Sequence, residues 1–121
     1  PQNLWKGNIN LNSKYEIGIV SPSYKTFDID KKNNAIFIEY LLKTDRALYE
    51  YNNASEQGAS IVRRNLNMEL FKDISFKIPS LEEQTKIASF LSAFNKKIEL
   101  EKEMLENWKT LKKGLLQKMF I

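Results

Sequence analysis

The feature that most constrains this chain is an apolar stripe that begins soon after Pro79 and continues almost to the last residue. Its positions are spaced alternately by three and four residues, which is the spacing of a coiled-coil seam. The pattern predicts one helix from Leu81 to about Met119, ~58 Å long at ~1.5 Å per residue. Eight of the eleven stripe positions are apolar, in the series Gln84, Ile87, Leu91, Phe94, Ile98, Glu101, Leu105, Trp108, Lys112, Leu115 and Met119.

A capping box marks the start of this helix. Ser80 can accept a hydrogen bond from the backbone N–H three residues later, and the Glu83 carboxylate can reach back to the cap. The stripe itself is interrupted by Glu101 and Lys112, and Leu111 lies one place away from it. Either the register shifts there or the partner helix crosses at an angle.

A stripe of this length needs a surface that covers it. Its first half has two interpretations, packing on the chain's own N-terminal residues or on a partner helix, whereas too little of the chain is left to cover the second half. The partner helix belongs either to a second copy, related by a twofold axis, or to the other half of a longer subunit. The predicted pairing residues are Ile87, Leu91, Phe94, Ile98, Leu105, Trp108, Leu111, Leu115 and Met119.

Shorter and mixed patterns fill residues 1–79. Alternating apolar residues predict strands at 15–20, 24–29 and 74–78, and caps at Asn34 and Asn67 predict helices after them. A second apolar set ends at Asn52-Asn53, and a turn is predicted at 57–60. The fold class is α+β: a small, partial mixed domain over 1–79, then a long helix over 80–121 that forms a coiled coil. Because so few strands rarely fold alone, we expect the opening strands to lie upstream of Pro1.

The residue types exclude most catalytic chemistry. The chain has no His and no Cys, which removes the usual general base, thiolate nucleophiles and the usual zinc ligands. Glycine-rich phosphate loops and the common serine-nucleophile motifs are missing from the sequence. No apolar run approaches the ~18 residues of a membrane span, and a cysteine-free chain fits the cytoplasm. We therefore expect a cytoplasmic, non-catalytic binding or assembly module with no metal, cofactor or membrane partner.

Two motifs in the C-terminal part resemble a known family. They are IPSLEEQTKIASFLS at 78–92 and KKGLLQKMF at 112–120. Upstream, GIVSPSY at 18–24, GAS at 58–60 and Asn65-Leu66 extend the likeness over essentially the whole chain. Together they resemble the specificity subunits of type I restriction-modification systems, from the later part of a target recognition domain through the distal conserved region.

The resemblance implies a subunit with two target recognition domains, each of which reads one half of a bipartite DNA site in a bacterial defence against foreign DNA. Conserved helices that pack antiparallel separate the two domains. The implied partners are double-stranded DNA, the modification subunit, the restriction subunit through the complex, and a second copy or the other half of the specificity subunit. The alternative that stays open is a coiled-coil assembly module without DNA sequence readout of its own.

Base reading needs side chains that can reach groove edges, and phosphate contacts need cations. The net charge of +4, from 19 Lys and Arg against 15 Asp and Glu, is compatible with DNA but selects neither part of the chain. The best cluster is Arg63, Arg64 and Asn65. The alternative for each of these residues is an ordinary polar side chain that faces solvent and does not contact DNA. The weaker candidates are Tyr24 and Lys25 after the Pro22 turn, and Lys14 and Arg46 as phosphate contacts.

Overall fold

The structure is a computed structural model that describes residues 3–57 and 64–120; the side chains of Gln57 and Arg64 lie outside that description. It divides into two compact units, Pro1–Thr85 and Lys86–Ile121. The described elements are a 3₁₀ turn at Leu4–Lys6 and, in chain order, helices α1 (Ala35–Leu41) and α2 (Asp45–Asn53), strands β1 (Ser55–Gln57) and β2 (Arg64–Leu66), and helices α3 (Met68–Lys72) and α4 (Leu81–Met119). This mixture confirms the α+β class.

Asparagine side chains begin two of the short helices, as the sequence predicted. Asn34 Oδ1 accepts a hydrogen bond from Phe37 N at 3.0 Å at the start of α1. Asn67 Oδ1 accepts from Glu69 N at 3.0 Å and Leu70 N at 3.3 Å at the start of α3. These bonds satisfy N–H groups that have no partner inside the helix, so the helices start where such a side chain stands.

Thr44 separates α1 from α2, although the apolar spacing had continued through this region. Its hydroxyl accepts from Ala47 N at 3.3 Å and donates to Leu41 O at 2.8 Å. One side chain therefore ends the first helix and caps the second. The Asn52-Asn53 pair correctly predicted the end of α2, which is at Asn53.

The two short strands form an antiparallel hairpin after α2. Ser55 pairs with Leu66, Glu56 with Asn65 and Gln57 with Arg64. Asn67 N donates to Ala54 O at 2.8 Å, which extends the pairing by one position. Of the turn predicted at 57–60, Gln57 belongs to β1 and the other three residues lie outside the described ranges.

The three strands predicted from alternation were wrong. Within 3–57 and 64–120 the only strands are β1 and β2, and the segments at 15–20, 24–29 and 74–78 have no regular structure. Apolar side chains in the first segment are exposed, with Ile17 at 87% and Ile19 at 102%. An alternating pattern shows that a segment suits one face of a sheet. A strand also needs a neighbouring strand with which its backbone exchanges hydrogen bonds.

A small core joins the 3₁₀ turn to α2. Its centre is Leu4, Ala47 and Tyr51, which are nearly inaccessible to solvent. The Tyr51 hydroxyl donates to Leu42 O at 2.9 Å, and burial raises the pKa of Tyr51 to about 12. A burial of this kind favours the neutral phenol, so the hydroxyl stays a donor at neutral pH. The partly buried residues around this centre are Trp5, Ile9, Leu42, Leu48, Leu66, Phe71, Ile74 and Phe76.

Helix α4 confirms the predicted span, with 39 residues from Leu81 to Met119. Ser80 Oγ accepts from Glu83 N at 3.4 Å, which supplies the first of the two bonds expected of the capping box. Stripe residues from Phe94 onward are exposed, for example Leu105 at 53% and Trp108 at 61%. The pairing of α4 with another helix stays a prediction. In the described part of the chain, α4 and the other helices are too short or too polar to span a membrane.

Candidate nucleic-acid interface

Two residues of the best DNA-contact cluster, Arg64 and Asn65, lie in strand β2 of the hairpin. Arg63 lies outside the described residues, and Arg64 begins β2 opposite Gln57. Asn65 follows in the same strand, opposite Glu56, and its side chain is exposed. Two-stranded ribbons fit the major groove, and an asparagine amide can pair with the edge of adenine. Asn65 is therefore available for base contact.

The second candidate pair lies in a turn that hydrogen bonds hold in shape. Tyr24 N donates to Ser21 O at 2.9 Å, and the hydroxyls of Ser21 and Ser23 are 2.9 Å apart. Tyr24 is 68% exposed, and Lys25 beside it is exposed as well. The turn presents an aromatic hydroxyl and a cation to solvent, which are groups that contact phosphates and bases.

Lys14 lies in a smaller turn closed from both sides. The Asn12 side chain donates through Nδ2 to Tyr15 O at 2.8 Å and accepts from Tyr15 N at 3.2 Å. Lys14 is exposed at the tip of this turn. Its position suits a phosphate contact, in which a flexible ammonium needs only access and charge.

Arg46 lies on α2 and has a ring partner that the sequence did not reveal. Its Cζ lies 5.8 Å from the centre of the Phe76 ring, while the residue as a whole stays exposed. Such a cation–π contact is worth about 0.5–1 kcal/mol at exposed sites and restricts the guanidinium to one region. Because the two residues are distant in sequence, only the fold brings them together.

The described candidates therefore lie on four segments: the turns at 12–15 and 21–25, helix α2 and strand β2. Arg64 and Asn65 are adjacent in β2. The DNA role of every candidate stays a prediction, since exposure permits contact with DNA but does not establish it.

Two further lysines have partners that the sequence analysis did not anticipate. Lys43 Nζ lies 2.8 Å from Glu39 Oε1 and donates to Asn10 Oδ1 at 3.0 Å. Glu39 Oε1 also accepts from Leu11 N at 3.3 Å. Lys6 Nζ lies 5.0 Å from the centre of the Trp5 ring. Lys43 is thus engaged in attaching the segment before residue 12 to α1, which makes it a poorer phosphate contact than Lys14.

Comparison with known protein families decides the class of the chain. The family model for the type I restriction modification DNA specificity domain matches residues 6–108. The chain belongs to this family. The match includes the hairpin, both turns, α2 and most of α4, so all the DNA-contact candidates lie inside the DNA specificity domain. No solved structure is a significant match to the chain.

Exposed polar side chains on the described surface include Lys14, Arg46 and Asn65. Within the described ranges, no group of three or more carboxylates could hold a metal ion. Arginine and asparagine side chains supply hydrogen bonds to base edges, whereas lysines supply charge to phosphates. Side chains of these types suit the recognition of a DNA sequence.

The sequence analysis missed a buried amide, Gln84. It had been placed at the first position of the apolar stripe, but its side chain is only 2% exposed and makes three hydrogen bonds inside the N-terminal unit. Gln84 is therefore not part of an exposed seam. The only signal in the sequence was a polar residue at a position where the spacing calls for an apolar one.

Proposed function

We propose that the chain reads one half of a bipartite DNA site as part of a type I specificity subunit. The observation that carries this proposal is the match of the DNA specificity family to residues 6–108. Exposed donors at Asn65 and Tyr24 and cations at Lys14, Lys25 and Arg46 support it, because they offer base-edge and phosphate contacts. In this proposal the chain itself is non-catalytic and works in the cytoplasm.

Helix α4 would separate two such reading domains. At ~1.5 Å per residue its 39 residues extend ~58 Å, which equals ~17 base pairs at ~3.4 Å each. The exposed apolar stripe supports antiparallel pairing with a second helix, from the other half of the subunit or from a second copy. One helix would then serve both as the spacer and as the pairing surface.

The modification subunit, and through it the restriction subunit, would dock on the assembled specificity subunit. The charged residues of α4 outside the stripe offer a surface for this contact. Glu99 and Lys102 form an ion pair at 3.0 Å there, and Glu106 and Lys109 form another at 2.9 Å. Exposed pairs of this kind contribute little to stability, so they are free to exchange for partners on another subunit.

Mapping of methylated adenines tests the proposal. The protein that contains this chain is expressed with its modification subunit in a host that lacks adenine methylation. A gapped asymmetric motif would indicate two different reading domains, whereas a gapped palindrome would indicate two copies paired through α4. The absence of any motif would contradict DNA reading and favour the assembly-only alternative.

Substitution of Arg63 and Arg64 by Ala tests the choice of reading residues. We expect changed or relaxed base preference in one half-site, because each bidentate arginine contact contributes about 1–3 kcal/mol of discrimination. Substitution of Lys31 and Lys32 by Ala removes the same charge next to Asp28 and Asp30 and serves as the control. An unchanged motif in the arginine variant would exclude these residues as base readers.

A further inference from the structure

The side-chain amide of Gln84 is buried with all its hydrogen-bonding groups engaged. Its Oε1 accepts from Asn34 N at 2.9 Å, and its Nε2 donates to Asn33 Oδ1 at 3.1 Å and to Pro79 O at 2.9 Å. We call these residues the Gln84 network. Buried polar groups that are fully satisfied give directional contacts, which apolar packing does not.

The network joins the starts of two helices that are far apart in sequence. Asn34 caps α1 through its own Oδ1, and its Nδ2 lies 3.5 Å from Thr85 Oγ1. Pro79 precedes the first turn of α4, and Gln84 lies in that turn, where its N–H donates to Ser80 O at 2.9 Å. The beginning of α4 is thus bonded to the N-terminal end of α1 inside the Pro1–Thr85 unit.

The chemistry of the site requires an amide. An apolar residue of similar size would leave Asn34 N and the Pro79 carbonyl without these partners. A glutamate could accept from Asn34 N, but its ionised carboxylate has no donor for Asn33 Oδ1 or Pro79 O. Only a side chain that carries both an acceptor and a two-proton donor satisfies the three groups together.

We infer that Gln84 is a positioning residue that fixes the first turn of α4 to the reading domain and thereby sets the length of the gap in the DNA site. This inference rests on the proposed function, in which α4 separates two half-sites. A spacer defines a gap only if its attachment to the reading domain has one geometry. Three directional hydrogen bonds hold the first turn of α4 within the Pro1–Thr85 unit.

Hydrogen exchange tests the attachment. Gln84→Met keeps a similar volume but loses the amide, Asn33→Ala removes one of the two acceptors, and Gln117→Met makes the same change at an exposed position of α4. We expect Asn34 N–H to exchange about tenfold faster in Gln84→Met, as for the loss of a buried hydrogen bond. Gln117→Met leaves it unchanged. Unaltered exchange in a folded Gln84→Met protein would overturn the inference.

Methylation mapping with the modification subunit tests the gap. We expect Gln84→Met to keep both half-site sequences but to methylate sites whose gap differs by one base pair, with discrimination between gap lengths reduced about tenfold. General loss of stability would instead lower methylation equally at every gap length. A folded Gln84→Met variant with the wild-type gap preference would overturn the gap role.

The outcomes separate the two proposals. If the wild-type protein directs no bipartite motif, the proposed function fails and the gap role fails with it. If the wild-type motif is present and the gap is insensitive to Gln84, only this inference fails. Should Gln84→Met not fold, Asn33→Ala replaces it with the same expected direction and a smaller effect, and an unaltered Asn33→Ala protein in both measurements would overturn the inference.

Discussion

Tyr51 in the N-terminal unit is 1% exposed, whereas Leu105 and Trp108 on α4 are 53% and 61% exposed. The core side chains of the first unit, Leu4, Ala47 and Tyr51, are covered by its own residues, whereas the apolar stripe residues of α4 from Phe94 onward are exposed. The first unit also has side-chain caps and buried hydrogen bonds, while the ion pairs Glu99–Lys102 and Glu106–Lys109 on α4 lie at its surface. The comparison teaches that the first region draws stability from internal contacts, whereas the second leaves its apolar stripe exposed.

Tyr51→Ala gives the largest expected effect on the first region. Loss of a buried aromatic side chain costs about 3–5 kcal/mol, which is a large part of the free energy of unfolding of a small domain. Tyr49→Ala is the matched control, since Tyr49 lies on the same helix but is 64% exposed. Chemical denaturation followed by tyrosine and tryptophan fluorescence measures both. Equal losses in the two variants would show that the core around Tyr51 is not the source of stability.

Leu105→Asp tests whether the apolar stripe of α4 pairs with another helix. A charge placed within a paired apolar stripe should weaken self-association or pairing about 100-fold, or about 3 kcal/mol, with little effect on the first unit. Leu100→Asp is the control, because Leu100 is similarly exposed, at 55%, but lies outside the stripe. Sedimentation equilibrium gives the association constants. The same prediction holds for Leu115→Asp. If the stripe has no pairing function, all three variants will have the same association constant.

High pH should weaken the first region through Tyr51. Its pKa is 10.0 as a free side chain and about 12 in the fold, so the unfolded chain loses the proton first as pH rises. The contribution, about 3 kcal/mol, is complete below about pH 10 and is lost as pH rises to about 12. Tyr51→Phe should flatten this part of the stability profile. Denaturation across the same pH range measures the difference.

The smallest expected effects come from two glycines. Gly7 has a φ of +80°, and a Cβ there would lie 3.3 Å from Leu48 Cδ2, whereas a Cβ at Gly114 of α4 would meet nothing within 4 Å. Gly7→Ala should therefore destabilise the first unit by about 1 kcal/mol, and Gly114→Ala should stabilise α4 by a similar amount. Thermal unfolding followed by circular dichroism measures both shifts. Shifts of the same sign would contradict this difference between the regions.

Local features of the fold could be predicted from the sequence, and features that depend on distant residues could not. The caps at Asn34, Asn67 and Ser80 act on N–H groups two or three residues away, so the pattern alone reveals them. The β1–β2 pair has no alternation, and the expected strand at 15–20 has no partner strand in the described ranges. Of the candidate site, residue types and exposure were predictable, whereas the Arg46–Phe76 contact and the burial of Gln84 required the folded chain.

Residues 12–28 are exposed throughout, yet one ring attaches this segment to the folded unit. Phe27 lies 5.5 Å from Phe71, whose ring is in turn 5.9 Å from Tyr51. The chain before Phe27 can therefore change in sequence and length without disturbing the core, because a longer loop adds only about 0.6 kcal/mol of closure entropy for each doubling. A domain built in this way can acquire new loop sequences at little cost to its fold.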